Sequence, residues 1–113
     1  MNNKRYDLYR GRETNGQLTG LRICGYAFQN EGDNYYRVKL FMFPDNTYYM
    51  SKNSGDGYTL FSKMVNQDEG KVGFQNPVGF AKTMDEVRTH IYVRFPDLSS
   101  HMFMSLFPKD LAA

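Results

Sequence analysis

Hydrophobic and polar residues alternate with period two along much of the chain. The clearest run is YYRVKLFMF at 35–43, where Tyr36, Val38, Leu40 and Met42 make one face. Side chains of a strand point alternately to its two faces, so this pattern predicts a half-buried strand. LRICGYAF (21–28) sets Leu21, Ile23, Gly25 and Ala27 against Arg22, Cys24, Tyr26 and Phe28. Neither side is polar throughout, which predicts a strand covered on both faces. YDLYRG (6–11), YTLFSKMV (58–65) and KVGF (71–74) carry shorter strand patterns. Between these runs lie TNGQLTG (14–20), NEGDN (30–34), NSGDG (53–57) and NQDEG (66–70), all rich in turn formers.

Pro44-Asp45-Asn46 separates the strongest strand from TYYMSK (47–52), which predicts a hairpin with a three-residue loop. In that register Phe43 faces Thr47, Phe41 faces Tyr49 and Lys39 faces Ser51, while Met42 meets Tyr48 and Leu40 meets Met50. A two-residue loop would set Lys39 opposite Lys52, an unfavourable like-charge pair. Further on, VGFQ (72–75) and VGFA (78–81) flank Asn76-Pro77, the pattern of two short strands or one bent one.

The C-terminal third changes character. Thr83-Met84-Asp85-Glu86 is a capping-box pattern with an acidic first turn. The following VRTHIYVRF (87–95) is β-branched, so a short helix or a strand from His90 to Phe95 fits. Asp97-Leu98-Ser99-Ser100 offers a second cap, and Leu98, Met102 and Leu106 with Phe103 and Phe107 make a helical stripe. The expected fold is therefore α+β: a mainly antiparallel β-meander of about five to seven strands over 6–82, with one or two short C-terminal helices packed on it. Residues 1–113 form one domain in this reading, with 1–5 loose. The expected core includes Ile23, Val38, Leu40, Met42, Leu60, Val87, Phe103 and Leu106.

Composition agrees with a globular chain of strands. The 113 residues are 41 % hydrophobic and 23 % charged, and the 16 % aromatic content is all Tyr and Phe. A net charge of +2 is too small to imply nucleic acid by itself; a basic surface would need clustering. One cysteine, Cys24, precludes an internal disulfide and reads as a buried structural thiol. No signal-peptide h-region and no long apolar span is visible, so the expected setting is cytoplasmic, with no membrane partner.

Motifs for chemistry are missing from the sequence. His90 and His101 stand eleven apart with no HExxH, CxxC pair or calcium loop, and no G-x-S-x-G or phosphate loop is present. The expectation is a non-enzymatic protein that uses no metal or other cofactor. Attention falls instead on the outward face of 35–43, where Tyr35, Arg37, Lys39, Phe41 and Phe43 lie with Tyr49, and Lys63 extends the group. Rings with adjacent cations suit single-stranded nucleic acid, by stacking and phosphate neutralisation. Exposed Tyr and Met equally suit a protein partner. The helical stripe must be buried somewhere, which favours a face half covered by the C-terminal helix, with Arg37 and Lys39 snorkelling to its edge. On balance the expected function is a small protein-binding module, of the accessory or inhibitor type found in phages and plasmids. Its partner would be another protein or a second copy of the chain, with a single-stranded nucleic-acid binder as the alternative.

Overall fold

A computed structural model describes residues 4–66 and 72–110, which form an all-β structure with no helix among them. The strands are β1 (Lys4–Thr14), β2 (Gln17–Phe28), β3 (Tyr36–Leu40), β4 (Tyr48–Lys52), β5 (Gly57–Asn66), β6 (Val72–Thr83), β7 (His90–Arg94), β8 (Met102–Ser105) and the short β9 (Lys109–Asp110). Each pairs antiparallel with the next from β1 to β8, and β8 pairs back to β1 through Leu8↔Met104. The result is a closed eight-stranded up-and-down barrel, to which β9 adds a two-residue pairing at the start of β1. Closure leaves no long edge strand open to further pairing.

Register keeps one set of side chains inside all the way round. Leu8 lies opposite Gly25 and Met104, Ala27 opposite Val38, Met50 opposite Leu60, and Val93 opposite Ala81 and Met102. These residues are all buried and, with Leu40 and Ile91, fill the interior. An eight-stranded barrel is just wide enough for its own side chains to pack it. Rings crowd both mouths. Tyr36 meets Tyr6 and Tyr58 edge-on at one end, and Tyr48 meets Phe95 at the other.

The expected α+β meander with C-terminal helices is therefore corrected to a closed barrel. His90–Arg94 takes the strand alternative, but Thr83 ends β6 opposite Ile91 and caps no helix. Residues 98–107 hold a turn and then β8. A spacing of four is even, so Met102 and its neighbours keep a common face in a strand as readily as in a helix. HMFMS alternates strictly: Met102 and Met104 point in, and Phe103 points out against Tyr92. Without β8 the sheet would have two open edges at β7 and β1, and pairing both decides the conformation.

Other local readings shift too. The loop read over 14–20 is a two-residue turn at Asn15-Gly16, both with positive φ, joining Thr14 to Gln17. The β3–β4 register differs from the expected one by four residues: Val38 faces Tyr48 and Tyr36 faces Met50, and 41–47 form a longer loop. An even shift preserves the faces, so Tyr36, Val38, Leu40 and Met50 still point inward. Met42 leaves the core with the loop. Of the expected core, Val38, Leu40, Leu60, Val87 and Phe103 are buried, whereas Ile23, Met42 and Leu106 are exposed. The two VGF segments form one bent strand, with Asn76 at positive φ and Pro77 opposite Phe61 where the ladder is bulged. Lys4 and Arg5 belong to β1, while residues 1–3 of the segment expected to be loose, and most of the turn at 66–70, lie outside the described residues.

Candidate functional site

The seven residues singled out in sequence are divided between several places. Tyr35, Arg37 and Tyr49 come together on the outer surface of β3 and β4, but under cover. The ladder bulge between Leu60 and Phe61 precedes a β5–β6 ribbon whose Phe74 ring lies 5.1 Å from that of Tyr35 and 5.9 Å from that of Tyr49. Phe61 stacks on Phe74, and the Tyr35 hydroxyl donates to Met64 Sδ at 3.3 Å. Tyr35 is left only 5 % exposed. Arg37 is also occupied: its Nε donates to Asp33 Oδ2 at 3.1 Å, its Nη2 donates to the Tyr35 hydroxyl at 2.9 Å, and its guanidinium lies over both tyrosine rings. Burial raises the Tyr35 pKa, against the pull of Arg37. The cover comes from a β-ribbon, not from a C-terminal helix.

Lys39 is tied to Thr47, with Nζ donating to Oγ1 at 3.2 Å. Lys63 is exposed on the β5–β6 ribbon. Phe41 and Phe43 lie just past the end of β3 and, with Met42 between them, form the first residues of the β3–β4 loop.

That loop presents three consecutive exposed large apolar side chains. Met42 is 65 % exposed and Phe41 52 %. Phe41 N–H donates to the Cys24 carbonyl at 2.9 Å, which seats the loop beside the outer part of β2, and the Phe41 ring lies 6.2 Å from that of Tyr26. Leu21 and Ile23, both exposed, occupy that same part of β2. One end of the barrel therefore carries the exposed Phe41, Met42 and Phe43, seated against β2 at Cys24 and Tyr26. Exposed apolar side chains gathered in one place mark contact sites, whereas scattered ones need no explanation.

Two clefts flank the β1–β2 ribbon, which is bulged between Leu8 and Tyr9 and again between Arg10 and Arg12. One, of about 720 Å³, lies between the ribbon tip and the β6–β7 loop and carries Glu13, Asp85 and Glu86 with Lys82. Its floor is aromatic, with Tyr92 beside Phe103 and the Tyr92 hydroxyl 2.7 Å from His101 Nδ1. The other, of about 650 Å³, lies between the ribbon and the β7–β8 loop and is lined by Arg10, Arg12 and Arg22 with Ser99, Ser100 and His101. Sequence reading missed these arginines. The signal was Asn15-Gly16: a two-residue turn there folds RGRE back on LRIC and brings the cations together.

Cys24 sits half-buried next to this region, and burial pushes its thiol up to about 11, with Arg10 pulling the other way. No group of three His, Cys, Asp or Glu side chains among the described residues is placed to hold a metal ion. Nor is any helix of the described residues long and apolar enough to cross a membrane. No protein-family model, curated protein or solved structure matches the chain.

Proposed function

We propose that the protein is a non-enzymatic binding module that docks another protein through the β3–β4 loop. The observation that carries this reading is the run of three consecutive exposed apolar side chains, Phe41, Met42 and Phe43, in that loop. Rings and a flexible thioether on an exposed loop fit an apolar cleft of a partner, where a few buried anchors supply most of the energy. The barrel beneath is filled by its own side chains, so the loop is presented by a packed support. Nucleic-acid stacking on Tyr35 and Tyr49 is less well supported, since Phe74 and Met64 occupy that surface.

A photo-crosslinking side chain at Met42, with one at Thr59 on the outer face of β5 as control, tests the reading. The expected result is one protein cross-linked from Met42 and not from Thr59, which then binds the purified wild-type chain and loses that binding on Phe41→Ser. Equal products from both positions, or a cross-linked nucleic acid, would contradict it.

A further inference from the structure

We propose that the cleft lined by Arg10, Arg12 and Arg22 binds a compact phosphate-class oxyanion, a phosphate monoester or a diphosphate. This goes beyond the protein-docking reading and does not depend on it.

Three observations carry the assignment. First, the cleft is lined by three arginines together with Ser99, Ser100 and His101, and no acidic residue among the described residues lines it. The acids of the same ribbon and the β6–β7 loop, Glu13, Asp85 and Glu86, line the other cleft. Second, Arg10 and Arg22 are direct cross-strand partners. Like charges facing each other across a ladder are destabilising, and an acid nearby would ordinarily relieve them. None among the described residues does so: Asp7 is paired with Arg5 and Lys109, and Asp33 with Arg37. Among those residues Arg10, Arg12 and Arg22 make neither an ion pair nor a side-chain hydrogen bond. Third, the cleft is sized for a small ligand, about 650 Å³, and Gly20, with open space where its side chain would be, leaves part of its wall uncovered.

The chemistry follows from the donors. A guanidinium offers a planar fork that matches two oxygens of a tetrahedral anion, and such charge-assisted bonds are about twice as strong as neutral ones. Three forks in one cleft suit a group carrying two or more charges on closely spaced oxygens. A single phosphodiester, with one charge, would leave most of the field uncompensated. Bound anion would also remove the repulsion between Arg10 and Arg22, so binding stabilises the ribbon as well as the complex.

Calorimetric titration of the full chain with pyrophosphate and with inorganic phosphate, against chloride at matched ionic strength, is the direct test. Pyrophosphate should bind and raise the unfolding midpoint, and Arg22→Gln should weaken it about ten- to hundredfold, the loss expected for a hydrogen bond to a charged group. In phosphate-free buffer Arg22→Gln should unfold at the same temperature as wild type or higher, because a like-charge pair has been removed; this also shows that the variant folds. A short oligonucleotide with and without a 5′-phosphate distinguishes the source of the anion. Competition with pyrophosphate by the phosphorylated form alone supports the assignment. Equal competition by the unphosphorylated strand overturns it, as does pyrophosphate binding no tighter than chloride, or binding unchanged in Arg22→Gln.

Discussion

At Cys24 burial decides the chemistry of a single side chain: the thiol is held protonated well above its usual range, at about 11, although Arg10 favours the thiolate. Nucleophilic reaction requires the thiolate. Relative to the ordinary value of 9.0, alkylation of the folded protein at pH 8 should be about a hundredfold slower than in denaturant, one factor of ten per pKa unit. Iodoacetamide labelling followed by mass spectrometry measures this, and equal rates would contradict it. The same shift is a stability statement. The folded state holds the Cys24 proton more tightly than the unfolded chain, so stability is full below about pH 9 and falls as pH rises toward 11. Tyr35 and Tyr36, also raised by burial, add to the loss in the same direction. Unfolding midpoints should therefore decline between pH 9 and 11, less steeply in Cys24→Ser. A flat profile would count against the burial of all three. Gly25 is a second position where one atom decides. A Cβ there would sit 2.1 Å from the Lys39 carbonyl oxygen, on the neighbouring strand of a closed barrel that cannot move apart. Gly25→Ala should cost about 3 kcal/mol or more by urea unfolding; a loss below about 1 kcal/mol would show that the strands can give.

Among the elements, what could be read from sequence follows from the period of the side chains. Val38, Leu40 and Leu60 lie on inward positions of period-two runs, and their strands and buried faces are as the pattern implies. Register was less legible, because the four-residue difference at β3–β4 keeps every face unchanged and leaves no sign in the hydrophobic pattern. The helix expected over 98–107 arose from the same ambiguity, since Leu98, Met102 and Leu106 fit both periods. Nothing local decides between them; the unpaired edges of β7 and β1 do. The bulges that bend the two long ribbons were equally hidden, apart from Asn76-Pro77. They matter for the site, because the β5–β6 ribbon lays Phe74 over Tyr35, Tyr49 and Phe61. Phe74→Ala should then cost roughly 2 kcal/mol, less than a full core truncation because Phe74 is only half-buried. It should also speed proteolysis within the ribbon while the barrel strands stay protected in hydrogen exchange. Loss of protection throughout the barrel would mean that the ribbon is part of the core.

On the scale of the whole molecule, closure separates support from contact. The apolar side chains that hold the barrel are inside it, and the Phe41-Met42-Phe43 loop contributes nothing to that core. Docking and stability should therefore be separable, which is a demand that few alternative readings make. The most direct test is calorimetry of the cross-linked partner, purified, against wild type and Phe41→Ser/Met42→Ser at low and moderate salt. The expected result is an affinity loss of more than about tenfold in the variant, as for removal of buried anchors, with an unchanged unfolding midpoint and little dependence on salt. An affinity that survives the double substitution, or that falls steeply with salt as phosphate contacts require, would contradict docking through the loop.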